Sequence, residues 1–230
     1  MYSNFIKRIL DIICALTALI VFGWLYLLIA VLVRIKLGKP VLFKQVRPGM
    51  KDKSGRETLF VLYKFRTMTD ECDEQGNLFP DEIRITKFGE WLRSTSLDEL
   101  PEAINILKGD MSVIGPRPQL VRDMVFMTDE QRRRHNVKPG LSGLAQVRGR
   151  NAISWEGKLD TDLEYIQNIT FLGDLKIVIQ TVGKFLKRED ITAEGMATAE
   201  DFGDYLLEKG KIDKTVYDAK QNEAKELLKV

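Results

Sequence analysis

The sequence predicts a helix-dominated α+β fold with a membrane helix near its N-terminus, and three observations lead to this prediction. Residues 9–33 are almost wholly apolar. Two short runs rich in β-branched and aromatic residues follow, and the loop between them holds two glycines and a proline, which is typical of a hairpin. From residue 83 onward apolar residues recur at helical spacing. A chain of 230 residues is also long enough to bury a core.

Composition excludes several kinds of site. The net charge is only +2, but the stretch 34–66 holds ten basic residues against two acidic ones. Two cysteines, Cys14 and Cys72, indicate neither a disulfide framework nor a zinc site. With a single histidine, His135, the chain can form neither a histidine triad nor a multi-histidine metal site. The common glycine-rich nucleotide motifs are absent, and we expect no nucleic-acid partner.

The apolar run is long enough to cross a bilayer, and too long for a secretory signal. Basic residues flank it on both sides, Lys7 and Arg8 before it and Arg34 and Lys36 after it. Because positive residues tend to stay cytoplasmic, both flanks favour the same side of the membrane. We therefore expect a re-entrant helix that bends near Gly23 and returns. A spanning helix and a buried core helix of a soluble protein are the alternatives.

The predicted hairpin comes next, with strands at residues 41–43 and 59–65 and a turn within residues 47–56. Its positive charge suits anionic lipid headgroups, which stabilise a nearby basic residue by roughly 1 kcal/mol. A solvated charged face is the alternative for most of these residues. Lys64 and Arg66 differ, because they lie beside aromatic residues at the end of a strand.

An adjacent acid pair, Asp98 and Glu99, precedes Pro101 in the block 95–118, around which the chain is organised. Proline is tolerated in the first turn of a helix, so a helix is expected to begin near the acid pair. The positive end of that helix would keep an aspartate ionised. The alternative is a plain capping box formed by Ser96 and Glu99.

Two later features suit phosphate binding. A short strand is predicted at residues 113–114, and a stiff turn follows it. In that turn Arg117 lies between two prolines, which present its guanidinium with little conformational freedom; a simple surface turn is the alternative. The glycine-rich loop 137–151 can bring backbone N–H groups close to phosphate oxygens. Its candidate substrate contacts are Lys138, Gln146 and Arg150.

Helices are predicted for the rest of the chain. Residues 155–168 are amphipathic, and residues 175–186 have apolar positions at helical spacing with flanking lysines. The second of these stretches is equally suited to the membrane interface and to a core. The charged tail from residue 198 holds one expected helix, at residues 214–228.

Four sequence motifs follow one another along the chain in this order: K-F-R-T-M, S-L-D-E-L-P, N-I-L-K-G-D-M-S-V-I-G-P-R-P and R-H-N-V-K-P-G-L-S-G-L-A-Q. Together with the membrane segment, they resemble the bacterial sugar transferases known as monotopic phosphoglycosyl transferases, over about residues 1–190. The resemblance implies transfer of a sugar 1-phosphate from a UDP-sugar to polyprenyl phosphate, usually undecaprenyl phosphate. It also implies Mg²⁺, the cytoplasmic face of the bacterial inner membrane, and the first membrane step of capsule, exopolysaccharide, O-antigen or glycan synthesis.

The resemblance assigns roles residue by residue. Asp98 matches the family's nucleophile, which implies a covalent phosphosugar intermediate and release of UMP. Glu99 matches its dyad partner, and both carboxylates are the expected Mg²⁺ ligands. Four basic residues match the phosphate site and its basic motif: Arg93, Arg117, Lys64 and Arg66.

The chain departs from the family pattern in two places. Gly23 and Trp24 stand where the family usually has Ser-Pro, which is a stronger helix breaker. Leu144 and Arg148 replace the usual Trp and Asn of the glycine loop.

The resemblance divides the chain into a re-entrant membrane helix (1–36), a catalytic domain at the membrane surface (37–190) and a C-terminal helical tail (191–230). Expected partners are a UDP-sugar, a polyprenyl phosphate and the membrane, and a homodimer is left open. Two other functions remain as alternatives. One is a nucleotide-sugar glycosyltransferase that releases UDP, and the other is a non-catalytic membrane adaptor of polysaccharide assembly.

Overall fold

A computed structural model describes residues 2–149, 153–187 and 200–229. It confirms the helix-dominated α+β fold. A π-helical turn, Tyr2–Ile6, leads into α1 (Lys7–Lys36), the long apolar helix. Two small sheets follow, and the remaining helices surround them. Among the described residues α1 alone is long and apolar enough to cross a membrane, a test of length and composition that some soluble core helices and signal sequences also pass.

Helix α1 is continuous, with no break at Gly23, where an added Cβ would meet no atom within 4 Å. Near its start, the buried Asp11 accepts hydrogen bonds from Ser112 Oγ (3.0 Å) and the Val113 amide (2.9 Å). Near its end, Val33 packs in a core cluster with residues of the hairpin and of a later helix. The same domain therefore holds both ends of α1, while the bend predicted at Gly23 stays a prediction.

Replacing Asp11 by alanine should destabilise the protein. The change removes both hydrogen bonds and leaves the Val113 amide without its carboxylate partner, a loss of about 1–3 kcal/mol. Denaturant unfolding in detergent would measure the difference. Asp213→Ala is a contrasting control, because it removes only an exposed helix cap at the Val216 amide. Equal stability of the Asp11 variant and the wild type would contradict the anchoring role.

The predicted hairpin is confirmed. Strands β1 (Leu42–Lys51) and β2 (Glu57–Phe65) pair antiparallel, with a register shift after Pro48. Buried hairpin residues such as Leu62 pack against α4 (Glu102–Lys108) and α1. This packing places the end of β2, which carries Lys64, beside the block 95–118 that holds the acid pair.

The short strand predicted at residues 113–114 is confirmed, but its pairing into a second sheet was not predicted. Strands β3 (Ser112–Ile114) and β4 (Gly140–Ser142) pair in parallel, so part of the expected glycine loop is a strand, and α6 (Leu144–Arg148) follows it. A Cβ at Gly140 would lie only 2.1 Å from the Gly115 amide nitrogen. Glycine is therefore needed there for the close approach of two backbones rather than for a flexible loop.

The predicted start of a helix near the acid pair, Asp98 and Glu99, was wrong. Helix α3 (Lys87–Ser94) is followed by Ser96 with a left-handed φ of 50°, and Leu97–Glu99 then form a 3₁₀ turn. Helix α4 begins only after Pro101. Ser96 makes no cap hydrogen bond, so the capping-box alternative is also wrong.

The remaining helices cover the sheets. Their bounds are α2 (Asp81–Arg84), α5 (Val121–Met124), α7 (Trp155–Gln167), α8 (Phe171–Lys187), α9 (Phe202–Glu208) and α10 (Lys214–Leu227), with a 3₁₀ segment at Gln131–Asn136. Helix α8 buries Ile177 and exposes Leu172, Ile179 and Val182. The helix predicted at residues 214–228 is confirmed as α10.

Candidate active site

The turn Leu97–Glu99 lies between α3 and α4, next to the end of β2. Leu97 packs against the cluster that contains Phe65 and Leu92, which orients the turn. Helix α3 can come this close because residue 89 is glycine: a Cβ there would lie 1.8 Å from the Thr67 carbonyl oxygen. The two acidic side chains are thus placed by packing on both sides of the turn.

Glu99 is the negative centre of a buried ion-pair cluster. Its Oε1 accepts hydrogen bonds from Lys64 Nζ (2.7 Å) and from Arg117 Nη2 (2.5 Å). Burial alone would raise the pKa of Glu99, but the charges of Arg117 and Lys64 outweigh it and hold that pKa well below its ordinary value. Glu99 is therefore ionised, and the structure brings it together with two of the predicted phosphate ligands.

Asp98 lies in a different environment. Its side chain is buried, and within the described part of the chain its carboxylate has no hydrogen-bond or ion-pair partner. Burial, followed by the charge of Glu99, raises the pKa of Asp98 to about 6. The sequence predicted a helix tip that keeps Asp98 ionised. That reasoning was wrong, because only the 3₁₀ turn Leu97–Glu99 begins there and desolvation dominates.

The sequence reasoning missed Glu102. This residue is only 2 % exposed, and its Oε1 lies 3.3 Å from Lys64 Nζ. Burial, followed by the charge of Glu99, raises the pKa of Glu102 to about 7. Its place three residues after Glu99, in the same acidic block, could have indicated it.

Arg93 and Arg66 have different surroundings. Arg93 donates from Nε to Thr67 Oγ1 (3.1 Å), and its positive charge partly opposes the burial that raises the pKa of Asp98. The Arg66 guanidinium contacts the carbonyls of Leu37 and Lys39 and the carboxylate of Asp70. Arg66 therefore links the end of α1 to β2, and its assignment to phosphate stays a prediction.

The two described candidates of the glycine-rich stretch, Lys138 and Gln146, contact residues other than the acid pair. Lys138 borders a separate cavity of about 330 Å³ together with Asp110, and burial lowers its pKa. Gln146 donates to the Leu141 carbonyl (3.0 Å), while its buried Oε1 has no partner in the described chain. Arg150 lies outside the described residues. The roles of these three residues stay predictions.

A cavity of about 230 Å³ opens beside the ion-pair cluster. Lys64, Glu102 and Arg117 are among its lining residues, and Asp98 is not. Arg47 also lines it, donating to the Pro118 carbonyl (3.2 Å), and its buried Nε has no partner in the described residues. Burial lowers the pKa of Arg47 to about 10. In the sequence, Arg47 is only one of the ten basic residues of the stretch 34–66.

Residues 2–188 match a family model described as bacterial sugar transferase. The chain belongs to this family. The family prediction made from the four motifs is thereby confirmed.

Several relatives of this bacterial sugar transferase have similar sequences. The uncharacterized sugar transferase EpsL of Bacillus subtilis is 50 % identical over 197 residues, 86 % of this chain and 95 % of that protein. The UDP-glucose:undecaprenyl-phosphate glucose-1-phosphate transferase of Klebsiella pneumoniae is 41 % identical over 198 residues, 77 % of this chain and 39 % of that protein. The UDP-N-acetylgalactosamine-undecaprenyl-phosphate N-acetylgalactosaminephosphotransferase of Aeromonas hydrophila is 39 % identical over 191 residues, 79 % of this chain and 44 % of that protein.

The match thus covers nearly the whole of EpsL, but less than half of the two relatives named for an activity.

The acid pair of the sugar transferase fits a Mg²⁺ ion that binds together with substrate. The described residues contain no group of three or more His, Cys, Asp or Glu side chains that could hold a metal. Mg²⁺, however, is usually bound by one or two carboxylates plus substrate phosphates. Asp98 offers an unengaged carboxylate, and Glu99 lies beside it, although two cations already bind Glu99.

Proposed function

We propose that this bacterial sugar transferase moves a sugar 1-phosphate from a UDP-sugar to a polyprenyl phosphate, such as undecaprenyl phosphate, and releases UMP. One observation carries the proposal: the unengaged carboxylate of Asp98 lies next to the cluster of Glu99, Lys64 and Arg117. A carboxylate with free lone pairs beside fixed cations is suited to attack a phosphorus atom. The names of the Klebsiella and Aeromonas relatives support this substrate class.

The proposed mechanism has two transfers. An Asp98 carboxylate oxygen attacks the β-phosphorus of the UDP-sugar, and the bond from that phosphorus to the bridging oxygen breaks, so UMP leaves. The sugar phosphate is then held on Asp98 as an acyl phosphate. An oxygen of the polyprenyl phosphate attacks the same phosphorus, and the electron pair of the breaking bond returns to the carboxylate. Polyprenyl diphosphate sugar is the product.

Other residues of the chain would stabilise this chemistry. Arg117 and Lys64 are fixed by Glu99, so their positive charges need little reorganisation when the pyrophosphate binds. The side chain of Arg117 is 40 % exposed and can therefore reach a ligand. A Mg²⁺ ion held by Asp98 and Glu99 would supply further charge neutralisation on the pyrophosphate.

We also propose monotopic attachment to the cytoplasmic face of the inner membrane, and the arrangement of α1 supports the monotopic part of this proposal. A helix of 30 residues is about 45 Å long, against about 30 Å for the bilayer core. Both of its ends pack on one domain. That domain is charged, so it would not enter the bilayer core. Its outer face exposes Ile20, Trp24 and Leu27, and the apolar outer face of α8 adds to the surface that could enter the lipid. The homodimer stays a prediction.

Identifying the nucleotide that the first transfer releases tests the proposed function. Purified protein in detergent, with undecaprenyl phosphate and Mg²⁺, should release UMP from at least one member of a set of UDP-sugars. Release of UDP in place of UMP would favour a glycosyltransferase that moves the sugar alone. No nucleotide release from any donor would favour the non-catalytic adaptor.

The rate of UMP release should fall as the pH falls through about 6. Burial and the charge of Glu99 raise the pKa of Asp98 to about 6, so Asp98 keeps its proton, and loses its nucleophilicity, to a higher pH than an exposed aspartate. Removing the charge of Glu99 with Glu99→Gln should move the midpoint to lower pH. Profiles of kcat/KM against pH for the wild type, Glu99→Gln and the exposed control Glu164→Gln would measure the shift. An unchanged midpoint in Glu99→Gln would contradict this account.

A further inference from the structure

Residues 200–229 lie beyond the part of the chain that matches the family model, yet they pack on the catalytic part. Phe202 is buried, and its ring centroid lies 5.0 Å from that of Trp155. Ala224 of α10 is buried against Val121 and Met124 of α5. A Cβ at residue 203 would lie 2.5 Å from the Phe126 ring, so glycine is needed for this close packing. The segment is therefore an integrated part of the fold.

Three polar contacts fix the first residues of this segment. Asp123 Oδ1 accepts a hydrogen bond from the Phe202 amide (2.9 Å). The Trp155 indole Nε1 donates to the Glu200 carbonyl (3.1 Å), and Arg122 pairs with the Asp201 carboxylate (2.7 Å). The backbone at residues 200–202 is thus held in one place relative to the catalytic part.

This placement makes Glu200 and Asp201 one wall of the cavity of about 230 Å³ beside the ion-pair cluster. The same cavity is lined by the cationic side chains of Arg47, Lys64 and Arg117, and by Glu102 and Asp123. Its lining thus combines cations of the proposed phosphate site with the carboxylates of residues 200 and 201.

The cationic and the acidic side chains of the lining suit different parts of one donor molecule. Phosphates belong with Lys64 and Arg117, because the carboxylates of Glu200 and Asp201 would repel them. Carboxylates instead accept hydrogen bonds from hydroxyl and amide groups. The volume is below the roughly 300–1,000 Å³ of pockets that hold drug-sized ligands, so it suits one ring rather than a whole nucleotide sugar.

We propose that this cavity binds the sugar of the UDP-sugar donor, and that Glu200 and Asp201 discriminate between donor sugars. The proposal rests on the proposed function for the identity of the donor. It assigns a role in specificity to a segment outside the shared family region. Ribose hydroxyls of the nucleotide offer similar chemistry to a sugar, so the experiment must separate the two sources.

Binding measurements on the full-length protein separate them. Kd values for UDP, UDP-glucose and UDP-N-acetylgalactosamine would be measured by calorimetry for the wild type, Glu200→Gln and Asp201→Asn. The ratio of the UDP Kd to the UDP-sugar Kd reports what the sugar adds. We expect each variant to lower this ratio by about tenfold for the tighter-binding sugar, with the Kd for UDP unchanged.

Matched controls are Glu223→Gln and Asp218→Asn, which make the same chemical changes on α10, in exposed pairs with Lys220 and Lys214. These controls should leave every Kd unchanged. Glu200→Gln is the safer of the two test variants for folding, because the anchoring contact is made by the Glu200 carbonyl and not by its side chain. A shift in thermal unfolding would reveal any loss of structure in Asp201→Asn.

Three results would overturn the inference. Equal weakening of UDP and UDP-sugar binding in the variants would place ribose or uracil in the cavity. If the variants leave the ratio of the UDP Kd to the UDP-sugar Kd unchanged, the role of Glu200 and Asp201 is purely structural. A wild-type protein that binds UDP as tightly as both UDP-sugars would show that no sugar pocket exists. Failure of the proposed function is a separate result, because it appears as absence of UMP release from the wild type, whereas these ratios need no turnover.

Discussion

An Asp98→Asn protein is expected to release UMP at least about 10⁴-fold more slowly than the wild type, which is the usual loss when a covalent nucleophile is removed. An amide has nearly the shape of a carboxylate but cannot attack phosphorus at a useful rate. The fold should be unaffected, because no hydrogen bond or ion pair joins the Asp98 carboxylate to another described residue. Loss of a buried charge whose pKa is raised by burial should, if anything, stabilise the protein.

The measurement combines turnover with intact-protein mass. Wild-type protein incubated with donor and no lipid acceptor should gain the mass of a sugar phosphate at Asp98, and the Asp98→Asn protein should not. Asp160→Asn, an exposed change on α7, is the matched control and should behave as the wild type. An Asp98→Asn protein with near-normal turnover would exclude Asp98 as the nucleophile.

An Arg134→Met protein is expected to lose about 3–5 kcal/mol of unfolding free energy, the usual cost of removing one member of a buried ion pair. Arg134 is 1 % exposed and binds the buried carboxylate of Asp162 through Nε (2.9 Å) and Nη2 (2.7 Å). Burial already raises the pKa of Asp162, and Arg134 opposes that effect. Without the guanidinium, Asp162 would be a buried acid with no compensating charge.

The same substitution should reduce UMP release in the protein that remains folded. Arg134 Nη2 also donates to the Arg117 carbonyl (2.6 Å), so it positions the backbone from which Arg117 reaches Glu99. Loss of that contact should lower kcat more than it changes the KM for the UDP-sugar, because Arg117 would act mainly on charge that develops during the transfer.

Arg133→Met is the matched control at the neighbouring position. Arg133 is 47 % exposed and pairs with the exposed Glu130, so its loss should change stability by no more than about 1 kcal/mol. A double variant, Arg134→Met with Asp162→Leu, should regain much of the stability, because it removes the orphaned charge as well. Denaturant unfolding in detergent would measure all three. Equal stability of the two single variants would show that the buried pair has no structural importance.

How far the sequence could predict the fold depended on whether the interactions were local. The apolar run and the strand patterns predicted α1 and the hairpin correctly, because hydrophobic periodicity reports burial along a single element. The parallel pairing of β3 with β4 was missed. The strand at residues 113–114 was predicted, but β4 has only three residues within a glycine-rich stretch and gives too short a pattern. The pairing of the two strands depends on a close approach between Gly115 and Gly140 that lies outside any local window.

The same contrast between local and non-local interactions holds for the site. The motifs indicated Asp98 and Glu99, but the prediction that a helix begins beside them was wrong, because Ser96 adopts a left-handed conformation. The contacts of the Arg66 guanidinium, which links α1 to β2, were not apparent from its motif, and its assignment to phosphate stays a prediction. Glu102 was missed, since a buried acid and an exposed helical acid look alike in sequence.

By itself, the sequence determined the chemistry available: an acid pair, basic residues in the motifs around it, and an apolar segment fit for lipid. Only the tertiary structure decided how the two acids differ. Lys64 and Arg117 come from distant parts of the chain and both bind Glu99, which leaves Asp98 unengaged with its pKa raised to about 6. Charge and desolvation act through space, so the difference between two neighbouring carboxylates could be read only once the chain was folded.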